Sequence, residues 1–249
     1  MNGLPADWIV PKWSTHPSVR ALITSRNGGI SQGAWSNMNV GLGCGDRAED
    51  VQANRAWLQR ALPQPPRWLN QVHGATVVDA EQVSGAVSAD AAIALTPNVV
   101  CAVLVADCMP VLLAERSGRA VGIAHAGWRG LAAGVIQNAV RSMRARLGDA
   151  AADVQAYFGP AIGPARFEVG ADVLAAMQTS LPQANRAFIA GTGEKYLTDL
   201  YALGRMALAQ EGVVDVAGGG LCTATDARRF FSFRRDEVTG RQAAIVWLA

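Results

Sequence analysis

Apolar residues recur along the chain with two different periods. Val19 to Ser25 (VRALITS) reads as a strand, and Asn27, Gly28 and Gly29 end it with turn chemistry in which a positive φ is cheap. Before it, Met1 to Ser18 is rich in Pro and Trp and shows no period. After it, Ile30 to Gly45 is a loop rich in Gly, Ser and Asn. Asp46, with Glu49 three residues on, is an Asp version of a helix capping signal. The helix it opens is expected from about Arg47 to Leu62, where Pro63, Pro65 and Pro66 stop it. Between Arg67 and Ala124 the period becomes that of strands: WLNQVH, ATVVDA, DAAIAL, VVCAVLVA, PVLLAE and AVGIA, each bounded by Gly, Pro, Asn or Ser. Most connections there are too short to hold a helix, so the sheet is expected to be mixed or largely antiparallel.

Gly130 to Leu147 reads as one long helix, with Leu131, Val135, Ile136, Ala139, Val140, Met143 and Leu147 as its apolar stripe. Arg141, Arg144 and Arg146 lie off the stripe and read as a solvated face, not a phosphate-binding one. There follow a strand (VQAYF), a Gly/Pro loop (GPAIGP), a helix near Ala171 to Gln178, a helix near Leu197 to Gln210, a strand (VVDVA) and terminal strands around FFSF and AAIVWL. Gly218 to Gly220 lack the spacings of a phosphate-binding loop and read as a turn. No repeat, low-complexity tract or linker divides the chain, so residues 1–249 are expected to form a single α+β domain.

Composition narrows the class. The 249 residues are 50% hydrophobic and 17% charged, which is enough apolar material for a packed core throughout. Twenty-two Lys and Arg against 20 Asp and Glu give a net charge of +2 without a one-sided basic field, so nucleic acid is not an expected partner. The longest apolar run, the eight residues Val99 to Ala106, falls far short of the ~18 a membrane span needs. The N-terminal MNGLPADWIVPK has no basic segment leading into an apolar stretch, and Cys44, Cys101, Cys108 and Cys222 form no CxxC pair. A soluble, cytoplasmic protein with reduced thiols is expected.

Candidate chemistry gathers at strand exits. His73 ends WLNQV, Cys108 follows VVCAVLVAD's apolar run, and His125 ends AVGIA; two of the chain's three histidines thus share one context, with the Cys108 strand between them. Loops at strand ends bring such residues together, and a His/Cys/His trio is a three-ligand zinc site with an open fourth position. A Cys/His nucleophile pair is the other meaning of the same pattern. Asn39, Gln71 and Asp107 are polar groups close to the trio in sequence, suited to sugar hydroxyls or to the outer shell of a metal.

Longer strings carry a resemblance. SRNGG, NMNVGLGCGD, NQVHG, ADCMPVLL, HAGWRG, GPAIGP with FEVG, KYLTDL, and FFSFRRD with TGRQA, in that order from about Arg26 onward, resemble the YfiH-like family, also called the laccase-domain or polyphenol-oxidase family. The resemblance implies a layered α/β/β/α fold and a zinc ion on His73, Cys108 and His125. It implies phosphorolysis of inosine, adenosine and methylthioadenosine to base and sugar 1-phosphate, and adenosine deamination at the same site. Arg26 matches a family arginine that helps build the pocket. Phosphorolysis also needs a guanidinium to hold a phosphate dianion, which Arg26 or Arg129 can supply. Two departures stand out: Gly43 occupies a place where many members carry His, leaving neighbouring Cys44 as a candidate substitute ligand, and Glu237 stands where Gly is common.

Three other functions compete. A copper polyphenol oxidase, the family's older label, is starved of ligands, because a trio of two His and one Cys leaves only His16 for an oxygen-reducing cluster. Copper can still enter the zinc site. A Cys/His hydrolase would use Cys108 as nucleophile and His125 as base, with a peptidoglycan-precursor substrate suggested by some members of the family. A metal-stabilised scaffold would turn over nothing. The sequence does not set the oligomeric state.

Overall fold

The computed structural model describes residues 4–249; the first three residues of the irregular entry segment lie outside it. In chain order the first elements are β1 (Val19–Ile23), α1 (Ala48–Gln59), β2 (Leu69–Asn70), β3 (Val77–Asp79), β4 (Val87–Ser88), β5 (Ala91–Ala94) and β6 (Cys101–Val105). Then come β7 (Met109–Glu115), β8 (Val121–Ala126), α2 (Trp128–Ala132), α3 (Val135–Leu147), β9 (Val154–Phe158), β10 (Glu168–Gly170) and α4 (Ala171–Ser180). The last are β11 (Phe188–Ala190), β12 (Lys195–Thr198), α5 (Leu200–Gln210), β13 (Val216–Gly218), α6 (Phe233–Asp236) and β14 (Gln242–Leu248).

Two sheets face each other. In one, β14 runs antiparallel between β1 and β6. In the other, the order is β13, β9, β7, β8, β5, β3, antiparallel in the middle and parallel only at its two edge pairs. Strand alternation sorts the side chains. Ile23, Val103, Val105, Ala244 and Val246 meet Leu112, Ala114, Val121 and Ile123 between the sheets. Their neighbours Leu22, Ala102, Ala243 and Ile245 face outward onto Leu58 and Leu62 at α1 and its end. On the far side, Val111, Leu113 and Ala124 pack with Ile136, Val140 and Met143 of α3 and Leu203 and Ala207 of α5. The result is the layered α/β/β/α, mixed α+β fold, with sheets that are largely antiparallel. No helix among the described residues is long and apolar enough to cross a membrane.

Several local expectations are corrected. The helix expected over 130–147 is two helices, because Gly134 takes φ +84°, a conformation strained for any side-chain-bearing residue. Asp46 does not cap α1; Arg47 holds that position without a side-chain bond, and Asp46 instead accepts from Ser31 Oγ at 2.6 Å and Asn39 Nδ2 at 2.8 Å. The helix expected from Leu197 starts at Leu200, after Asp199 caps it by accepting from the N–H of Tyr201 and Ala202; Lys195–Thr198 is a strand. FFSF is no strand: Phe230 and Phe231 are buried in coil and Ser232 Oγ caps the short α6. The three helix arginines lie on the surface side of α3, as expected, and each also has a protein partner. Arg141 pairs with Glu211 at 2.6 Å, Arg144 donates to Ala152 O and Glu211 O, and Arg146 meets Asp79 and Glu81. Gly218 is the last residue of β13, and it, Gly219 and Gly220 take positive φ of 71°, 83° and 77° where the chain leaves the strand.

The crossover from β6 to β7 sets the location of the site. β6 belongs to one sheet and β7 to the other, so Ala106, Asp107 and Cys108 carry the chain across one end of the sandwich. Asp107 makes the sharp turn at φ +96°.

A candidate metal centre beside an arginine-lined cavity

The trio converges at this end of the sandwich. The ligand atoms of His73, Cys108 and His125 all lie within 4.8 Å of one another, with Cys108 Sγ 3.9 Å from His73 Nε2. Tetrahedral zinc with ordinary Zn–S and Zn–N lengths sets its sulfur and nitrogen donors about 3.5 Å apart, close to the 3.9 Å between Cys108 and His73. The two imidazoles meet edge to face at a centroid separation of 4.8 Å.

Each donor is placed by local structure. His125 lies in β8, where its residue pairs with Pro110 of β7, and it is buried. His73 sits in a loop at φ +59° and is exposed. The group that ties the two together is Asp90, just before β5 and 0% exposed. Its carboxylate accepts from His125 Nδ1 at 2.8 Å, and from the backbone N–H of Val72 (3.2 Å), His73 (3.0 Å) and Gly74 (2.7 Å). One carboxylate therefore shapes the His73 loop and leaves Nε2 of His125 as its metal-facing atom, the carboxylate–histidine arrangement of metal sites. It also explains why the expected strand WLNQVH stops at Asn70: the next N–H groups point at Asp90 and not at a partner strand.

Electrostatics favour a charged donor set. Burial pushes the Cys108 thiol up, but the two imidazoles outweigh it and bring the thiol below its ordinary range. Burial pushes His125 down, and the Cys108 sulfur and the Asp90 carboxylate reverse this. For Asp90, burial acts upward while His125 and the backbone donors hold the carboxyl below the usual carboxylate range. A sulfur held toward thiolate and a carboxylate-oriented imidazole are donors that zinc or copper takes.

Gly127 closes the site from behind. A Cβ there would stand 2.7 Å from Cys108 Sγ and 3.2 Å from His73 Cδ2. Gly127→Ala is therefore expected to push the sulfur out of place and lower metal content at least severalfold after dialysis, as read by metal analysis, while the fold persists.

The trio borders a cavity of ≈ 620 Å³. Of the residues expected to bind substrate, Gln71, Asp107 and Arg129 line it, and Asn39 and Arg26 do not. Gln71 spends its amide on both backbone groups of Leu104, at 2.8 and 2.7 Å. Asp107 accepts from Thr223 Oγ1 at 2.5 Å and from the Arg234 N–H at 2.6 Å. Arg129 is exposed, its guanidinium 4.3 Å from the Trp128 ring. Asn39 is buried behind the wall, holding Gly41, Cys44, Asp46 and the Arg241 N–H. Arg26 lies elsewhere: it donates to Ser36 O and Ala227 O and covers the Phe231 ring, anchoring two loops. Cys44 lines the cavity but donates to Gly41 O and is not in the trio. The residues that sequence reasoning missed are Asp90, Arg234 and Arg241; the strings FFSFRRD and TGRQA held the two arginines but gave no sign of where they would lie.

A double-sheet sandwich with a His/Cys/His centre at one end defines the class. The family model described as "Multi-copper polyphenol oxidoreductase laccase" matches residues 20–249, and the chain belongs to this laccase-domain, YfiH-like family. It is 43% identical over 242 residues to a protein of Pseudomonas aeruginosa named purine nucleoside phosphorylase, covering 97% of this chain and 98% of that one. It is 44% identical over 243 residues to purine nucleoside phosphorylase YfiH of Escherichia coli, covering 96% and 98%. Among solved structures, a Neisseria meningitidis protein superimposes with a TM-score of 0.92 at 45% identity, over 97% of this chain and 99% of that one.

Proposed function

We propose that this chain is a zinc-dependent purine nucleoside phosphorylase acting on inosine, adenosine and methylthioadenosine, with adenosine deamination at the same site. The observation that carries the reading is that the cavity bordered by the trio is also lined by three arginines, Arg129, Arg234 and Arg241. The one carboxylate lining that cavity, Asp107, has each oxygen engaged by a protein donor, which leaves the cations for an anionic co-substrate. The names of the relatives support the same reading.

The donor set fits a metal, and His73, Cys108 and His125 would hold it. A zinc ion held there would supply Lewis-acid polarisation of a substrate oxygen. The chain's own groups do the positioning. The arginines hold phosphate by charge-assisted hydrogen bonds, and Trp128, Phe167 and Ile162 give the base an apolar wall. An oxygen of the hydrogen phosphate then bonds to C1′ as the C1′–N9 bond breaks, and the base leaves with the bonding pair and takes up the proton that the phosphate gives up. Asn39 acts through the loop and the Arg241 backbone it holds, and Arg26 through the loops it anchors; both are positioning residues in this reading.

Copper oxidation is the second reading, favoured by the family model's description alone. The residue supply argues against a multicopper cluster: of three histidines, two are in the trio, and His16 bonds Ser18 in an exposed loop. A free-thiolate hydrolase reading uses the same sulfur, and activity that survives a strong chelator would select it. Adenosine separates the activities in one assay. With phosphate we expect adenine as a product by chromatography, and without phosphate only inosine; free adenine at an equal rate in both arms would refute the phosphorylase reading.

A further inference from the structure

A second cavity of ≈ 470 Å³ lies directly beside the first. The two share Gly43, Leu69, Asn70 and Leu104 as a common wall. Gly43 has no side chain to close that wall, and a Cβ built there meets no atom within 4 Å. The main cavity already falls in the size range of small-ligand sites, about 300–1,000 Å³, so the second is additional space.

Its chemistry is cationic. Arg55 and Arg67 line it, and no Asp or Glu does. The Arg55 guanidinium lies 4.4 Å from the Trp68 ring, and its Nε donates to Val40 O at 2.8 Å. Among the described residues, neither Arg55 nor Arg67 has a carboxylate within 4.0 Å. Two other partly buried arginines are paired with acids: Arg229 meets Asp226, and Arg235 meets Asp236. Two half-buried guanidinium groups kept apart from every acid, on the wall of an empty-sided cavity, suit a phosphate monoester, whose oxygens match the guanidinium fork.

We infer that the second cavity is a phosphomonoester subsite, which takes the phosphate of a purine nucleotide whose nucleoside part occupies the main cavity. Only the second half of that statement rests on the proposed nucleoside site. The anion subsite stands on Arg55, Arg67 and the shared wall.

Titration calorimetry on the whole protein decides it, with inosine 5′-monophosphate, inosine and ribose 5-phosphate as probes. The wild type is expected to bind inosine 5′-monophosphate about tenfold or more tightly than inosine. Arg67→Ala should remove that advantage and leave inosine affinity unchanged, and Arg67→Lys should restore part of it. Among the described residues the Arg67 side chain has no hydrogen-bond partner, its backbone N–H bonding Val100 O, and circular dichroism checks that the variant folds. If ribose 5-phosphate also loses affinity in Arg67→Ala, the isolated phosphate ester is a ligand in its own right; if it is indifferent, the subsite serves nucleotides. Nucleotide that binds no better than inosine, or an advantage that survives Arg67→Ala, overturns the subsite. Failure of the nucleoside reading looks different, since inosine would not bind at all while the ribose 5-phosphate arm still responds to Arg67.

Discussion

Cys108→Ala is expected to lose the bound metal and to cut phosphorolysis by about 10³-fold or more, since a metal's charge stabilisation of a transition state amounts to several kcal/mol. Cys108 supplies the only sulfur of the trio, and the two imidazoles left behind are too few donors for a tetrahedral site. The fold should survive. The crossover that carries Cys108 is held by Asp107, through Thr223 Oγ1, the Arg234 N–H and the Ile162 N–H on its carbonyl, and none of these bonds uses the sulfur. Metal analysis and the rate of base release check the prediction together. A variant that keeps a full equivalent of metal and wild-type rate would remove the trio from the account.

Asp90→Asn is the second large effect, and it acts on stability as well as on the site. The carboxylate accepts from four N–H groups, those of Val72, His73 and Gly74 and the Nδ1 of His125. An amide offers one acceptor oxygen and turns an NH₂ group toward the remaining donors. Each buried donor left without an acceptor costs about 1–3 kcal/mol, so a loss of about 2–5 kcal/mol in unfolding free energy is expected by denaturant titration. Metal affinity should fall about 10–100-fold, as for other carboxylates that orient a ligand histidine. Lowering the pH of the wild type acts in the same direction. The folded carboxyl sits below its ordinary range, so its contribution is intact above the ordinary carboxylate pKa and is lost as the pH falls through the depressed one. Asp90→Asn should lose that acid-limb dependence; a variant with unchanged stability and metal affinity would show that Asp90 is a bystander.

The site was legible in the sequence where its chemistry sits on regular elements. His73, Cys108 and His125 each follow an apolar run, so the strand pattern put each at a strand exit where loops can gather residues, and the family resemblance named them as one ligand set. Asp90 was not legible because its role is made through space: it opens the run DAAIAL, where an Asp reads as turn chemistry, yet it is fully buried against a loop 16 to 18 residues away. Arg234 and Arg241 were hidden for a similar reason, since Arg234 reaches the crossover across a separation of 127 residues and Arg241 meets Asn39 across 202. Arg26 shows the reverse error. Its glycine turn suggested a ligand role, but the turn needs its guanidinium for Ser36 O and Ala227 O. At fold level, apolar runs bounded by Gly, Pro, Asn or Ser made most of the strands between Arg67 and Ala124 readable, whereas the break at Gly134 and the cap at Asp199 depended on single residues within an otherwise continuous helical pattern.

Transfer of a glycosyl group to phosphate by the trio and the arginine-lined cavity together would leave its record in the phosphate itself. Phosphorus-31 NMR of inosine and inorganic phosphate incubated with metal-loaded protein tests it most directly. The expected result is a sugar 1-phosphate resonance that grows in step with hypoxanthine. Hypoxanthine accompanied by free ribose and an unchanged phosphate signal, or no hypoxanthine at all, would contradict it.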